Sequence, residues 1–175
     1  MNIIKMANDR LEIDKLIKDE IDLKRYTYLS LKTCLSIELG ELLNEWGEFK
    51  YWKRNHVANL SELLKEWADC MLFGLAIINK KIKKIKKSDS QYIFYVAENM
   101  KEYRRENRRE NTLLLYKDTI FMLSIKDEKF TKYLAMRVIS NIISLGVLMG
   151  FTLEQLEQIY YVKKQIVLQR IKSNY

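Results

Sequence analysis

At 175 residues the chain is long enough for one domain with a single buried core, and its lack of proline and its 5 glycines argue against an all-β or loop-rich design. The net charge of +8, from 31 basic and 23 acidic residues, raises nucleic-acid binding as a class. Much of that excess sits in Lys80–Lys87 and Arg104–Arg109, where it reads as solvated helical surface first and as attraction for an anionic ligand second. Cys34 and Cys70 lie in apolar helical contexts and make no disulfide framework, which points to a reducing compartment. The opening residues carry no apolar leader run, and no apolar stretch approaches ~18 residues. A cytoplasmic protein with no membrane partner is expected.

In chain order, leucine and isoleucine recur at helical spacing. A first helix is expected near Leu11–Leu23 and a second near Tyr28–Trp46, the latter with the stripe Leu31, Leu35, Leu39, Leu42 and Trp46. Asn59 followed by Glu62 resembles a capping pair for a third helix reaching about Lys80, whose lysines suit the negative pole of the helix dipole. A fourth helix starts at Asp89 or Ser90 and a fifth covers Thr112–Leu123. The sixth, Lys129–Met149, stops at Gly150, where glycine takes the left-handed position. Thr152 and Gln155 form a capping-box signature for a seventh, to about Lys172. With no linker or repeat, the expectation is one all-α domain over 1–175, a helical bundle of about seven helices. The sixth helix is apolar on several sides and is expected to serve core and subunit interface together.

Two helices carry carboxylates where apolar side chains are due. On the second, Glu38, Glu41 and Glu45 lie along one edge of the leucine stripe, and Glu38 and Glu41 repel unless something positive lies between them. The third helix is apolar nearly all round except at Asp69, with Glu66 one turn earlier pointing a similar way. An ionised carboxylate in such surroundings needs a cation or strong donors. Two helices that each offer a pair at i, i+3 can converge Glu38, Glu41, Glu66 and Asp69 on one point, an oxygen-only set suited to Mg²⁺. His56, the sole histidine, falls in an interhelical loop, so zinc and catalytic-triad chemistries lack their parts. Trp46, Phe49 and Trp52 read as core before base platform.

The Glu-x-x-Glu pair in IELGELLNE (Ile37–Glu45) and the Glu-x-x-Asp pair in KEWADCMLFGL (Lys65–Leu75) together resemble the metal signature of the all-α NTP pyrophosphatase superfamily, which includes MazG. NEWGEFKYW (Asn44–Trp52) narrows this to the dimeric dUTPase family, in a form like that of phage enzymes of low-GC bacteria. The resemblance is close over Leu31–Asn79 and patchy at the end. There Tyr160, Lys163, Arg170 and Tyr175 match, while Lys164 and Val167 replace asparagines of the family pattern. Where the family has a glutamine-bearing N-terminal helix that helps recognise base and sugar, this chain offers Asp14 and Lys18.

The resemblance implies Mg²⁺-dependent hydrolysis of a nucleoside triphosphate, dUTP with dUDP as a further candidate, to dUMP and pyrophosphate, controlling the nucleotide pool. Glu38, Glu41, Glu66 and Asp69 would hold the metal, with Glu38 the general base. Lys163 and Arg170 would reach phosphate, with Lys50 a weaker candidate. Tyr175 would close over the site, and Asn79 would contact base or sugar. A homodimer and no stable nucleic-acid partner are implied. A pyrophosphatase for another nucleotide such as dCTP, or a degenerate binding or regulatory protein, are the alternatives.

Overall fold

The computed structural model describes residues 1–20, 23–54, 57–82, 84–102 and 107–173. Seven α-helices and a short 3-10 turn make up the regular structure among them: α1 (Ile3–Glu20), α2 (Tyr28–Trp46), α3 (Leu60–Lys81), α4 (Lys87–Glu102), α5 (Arg108–Ser124), α6 (Lys132–Leu148) and α7 (Leu153–Lys172), with the turn at Leu23–Arg25. The chain is an all-α bundle, as its periodicity indicates.

Local chemistry accounts for most helix starts and for the end of α6. Thr27 accepts from Ser30 N to open α2, Asn59 accepts from Ser61 N and Glu62 N to open α3, and Thr131 accepts from Leu134 N to open α6. Thr152 and Gln155 close the reciprocal capping box of α7. At the end of α6, Gly150 lies at φ 102, its N–H donates to Val147 O, and Phe151 N donates to Gly146 O. This is the paired pattern that a left-handed residue allows, and the chain turns through 112° into α7.

Four helix starts differ from expectation, and α6 opens at Lys132 rather than Lys129 because Thr131 caps it. Helix α1 starts eight residues earlier than Leu11, because Ile3, Met6, Ala7, Ile13 and Ile17 form a stripe whose remaining places are filled by polar Arg10 and Asp14. Those two are buried and paired at 2.8 Å, so charge masked the helical period. Asp89 lies inside the first turn of α4, where its carboxylate accepts from Lys86 N. Helix α5 begins within the arginine run, which Glu110 partly offsets at the positive helix end.

Helices α3 and α6 form the centre. Helix α3 packs on α1, α2, α6 and α7, and α6 on α3, α4 and α5. Their approach is close at Gly74, where an added Cβ would meet Ile142 Cδ1 at 2.8 Å. Twelve residues of α6 are buried within this chain, where α3, α4 and α5 cover most of its apolar surface. Among the described residues no single helix is long and apolar enough to cross a membrane.

Candidate metal and active site

Helix α2 buries Leu31, Leu35, Leu39, Leu42 and Trp46, and this fixes its rotation so that Glu38 lies half-buried at the edge of the core and Glu41 is exposed beyond it. Glu45, a turn later, accepts from Asn59 N at 3.1 Å and so ties the end of α2 to the start of α3.

Helix α3 is held by Trp67. Its indole is fully buried and its Nε1 donates to Ile142 O at 2.8 Å. An added Cβ at Gly146 would lie 2.7 Å from that nitrogen, so the missing side chain leaves room for the ring. With Leu63, Trp67, Cys70 and Met71 facing the core, Glu66 and Asp69 are turned to the half-buried side.

Glu38, Glu66 and Asp69 each offer a carboxylate oxygen, and these oxygens all lie within 4.8 Å of one another. Lys163 of α7 completes the arrangement, its Nζ 2.5 Å from Asp69 Oδ2. Burial pushes the Glu38 carboxyl up to about 7; Asp69, Glu41 and Glu66 add repulsion and Lys163 opposes it. Glu66 is raised by burial and then by Asp69 and Glu41. Asp69 is raised by burial, against the opposing hydrogen bond and charge of Lys163 and the charge of Arg170. A set of acids that resist ionisation together is what a bound cation relieves. The donors are all carboxylate oxygens. Neighbouring Cys70 is fully buried with its thiol pushed well up, so it offers no thiolate, and the set fits a hard divalent ion.

The four expected carboxylates therefore divide. Three converge, and Glu41 stands outside that group while still repelling each of the three. Arg170 is exposed and acts on Asp69 through its charge. The Lys50 ammonium lies on Asn44 O at 2.9 Å, closing the end of α2. Asn79 is buried and donates to Ala7 O at 2.8 Å, in the wall of a small cleft of about 70 Å³ shared with Leu11, Asp14, Tyr26 and Lys80. Of the three aromatics read as core, Trp46 is buried and Phe49 packs against the core, but Trp52 is exposed. Tyr175, His56 and the Lys18 side chain lie outside the described residues.

Two features escaped the sequence. The buried Arg10–Asp14 pair borders the Asn79 cleft, and its only signal is two opposite charges at i, i+4 on an otherwise apolar stripe. Lys164 pairs with Asp9 at 3.0 Å and tethers α7 to α1, although a lysine next to Lys163 reads more simply as a second phosphate ligand.

An all-α bundle that gathers carboxylates from two helices beneath a lysine of a third suits metal-assisted hydrolysis of a phosphoanhydride. Residues 2–175 match the family model described as dUTPase, and the chain belongs to the all-α dimeric dUTPase family. Its activity is dUTP hydrolysis, in a family that works with a divalent metal. No curated protein matches the chain.

Proposed function

We propose that this chain hydrolyses dUTP to dUMP and pyrophosphate with Mg²⁺ as the metal, held by Glu38, Glu66 and Asp69 with Glu41 at the rim. The observation that carries this reading is the convergence of three half-buried carboxylates of α2 and α3 under the Lys163 ammonium. Bound Mg²⁺ supplies positive charge that offsets the phosphate oxygens and polarises the reacting phosphorus. Glu38, at the core edge of the carboxylate group, is placed to accept a proton from water attacking beside the metal. Lys163 and Arg170, seven residues apart on α7, bind the phosphate chain, Arg170 with a planar fork suited to two oxygens.

Asn79 lies ten residues beyond Asp69, about 15 Å along α3, a separation on the scale of the nucleotide itself. That spacing supports a nucleoside end at the Asn79 cleft and a phosphate end at the carboxylates. The free thiols of Cys34 and Cys70 suit a reducing cytoplasm.

The homodimer belongs to the same reading. With α6 occupied by the core, the surface suited to a second copy is the exposed apolar set Leu29 and Ile37 of α2 with Trp52, Val57 and Leu60 before and at the start of α3.

The experiment is a Mg²⁺-supplemented panel of dUTP, dUDP, dCTP and dTTP, scored for pyrophosphate or phosphate release. Pyrophosphate from dUTP ahead of the other bases supports the reading. A preference for dCTP overturns the base assignment, and no turnover of any nucleotide overturns the reading itself.

A further inference from the structure

We propose that Lys163 is a resident counter-cation of the carboxylate cluster: it competes with the divalent ion for Asp69 and transfers to substrate phosphate when metal and nucleotide arrive together, so the two bind cooperatively. The inference rests on the proposed metal role of Glu38, Glu66 and Asp69.

Three acids with oxygens within 4.8 Å of one another, and Glu41 close enough to repel them, form a crowded negative site. The Lys163 ammonium meets it through Asp69, and the two side chains are only 16% and 17% exposed. Each therefore depends on the other for the solvation it has lost. A divalent ion entering the cluster draws on the Asp69 carboxylate that Lys163 holds, and it repels the ammonium. Free metal must displace that lysine, which weakens its binding. A triphosphate arriving with the metal offers the lysine new anionic oxygens, and the penalty falls.

The displacement is a side-chain movement. Helix α7 is fixed to α1 on both sides of Lys163: the Tyr160 hydroxyl donates to Met6 O at 2.7 Å, and Lys164 pairs with Asp9 at 3.0 Å. The lysine stem has the rotatable bonds to swing from Asp69 while its helix stays in place. Thermodynamic reciprocity then requires nucleotide to strengthen metal binding as much as metal strengthens nucleotide binding.

The test is calorimetric titration of the full chain with Mn²⁺ or Mg²⁺, alone and with the non-hydrolysable α,β-imido analogue of dUTP. The parent protein, Lys163→Met, Lys163→Arg and Asp69→Asn are compared. Lys163→Met is expected to bind metal alone roughly tenfold tighter than the parent, and to lose most of the strengthening by nucleotide. Lys163→Arg is expected to keep the weak metal-alone binding. Metal-alone affinity of Lys163→Met that is unchanged or lower overturns the inference and leaves the metal site standing. No metal binding by the parent with the analogue present, or Asp69→Asn binding metal as the parent does, overturns the site reading and the inference with it. Should Lys163→Met fail to fold, reductive methylation of the parent decides. Mass spectrometry should find Lys163 slow to react without metal and several-fold faster at metal saturation, and an unchanged rate overturns the inference.

Discussion

The Trp67 indole nitrogen donates to the carbonyl of Ile142, 75 residues away, and this bond joins α3 to α6 one residue from Glu66 and two from Asp69. Trp67 and the two carboxylates lie on α3 within one turn, so rotation of the helix about its axis moves them together. The buried indole, seated over Gly146, makes that rotation costly.

Replacing Trp67 with Phe should therefore separate stability from catalysis. Ile142 lies within α6 and keeps its helical bond, so loss of the indole bond costs about 0.5–1.5 kcal/mol, with the smaller ring adding a packing loss. Urea denaturation should show the lower stability, and dUTP turnover at saturating metal should fall further than the folded fraction does. Parent-like turnover per folded molecule would mean that Trp67 does not set the carboxylates.

Substitution of Glu38 by Gln keeps shape and removes the proton acceptor. A loss of about 10²- to 10⁴-fold in kcat is expected, the usual range for a general base. Asp69→Asn should also suppress turnover strongly, whereas Glu41→Gln, at the exposed rim, should cost less. Steady-state kinetics of the three variants test this order, and near-normal turnover of Asp69→Asn rules out the site.

The acidic cluster also predicts how stability depends on pH without metal. The Glu38 carboxyl is raised from its ordinary 4.5 to about 7, so between those values the folded chain holds a proton that the unfolded chain has released. Stability from this group is complete below about 4.5 and is lost as pH rises through about 7; Glu66 and Asp69 shift in the same direction. Thermal melts with chelator from pH 5 to 8 should show Glu38→Gln gaining stability relative to the parent as pH rises. Saturating Mg²⁺ should reverse that difference. A gap between parent and variant that does not change with pH would contradict the assignment.

Gly150 provides a prediction that involves only the fold. At φ 102 an alanine is strained, and Gly150→Ala should lower stability by roughly 1–2 kcal/mol. Urea midpoints measure it. Kinetic constants per folded molecule should remain those of the parent, since the turn lies at the α6–α7 junction and outside the carboxylate cluster.

Sedimentation velocity at micromolar concentration should give a species of twice the chain mass, and Trp52→Glu or Ile37→Glu should shift it toward monomer. A parent protein that sediments only as monomer removes the dimer from the reading.

The sequence by itself determined the helices, the caps of α3 and α7, the stop of α6 and the carboxylate period. These rest on interactions within about four residues: backbone bonds along the helix, a Thr or Asn oxygen at its start, a glycine after its end. That is why Asn59, Thr152 and Gly150 could be read in advance, whereas the caps Thr27 and Thr131 came from the structure. Tertiary structure alone decided which edges meet. It brought Glu38 to Glu66 and Asp69 but left Glu41 outside, directed Lys163 inward and Lys164 sideways to Asp9, and covered most of the apolar surface of α6. Each outcome depends on the rotation and offset of one helix against another. Those are set by packing between residues far apart in the chain, such as Trp67 with Gly146 or Gly74 with Ile142, which no local period encodes.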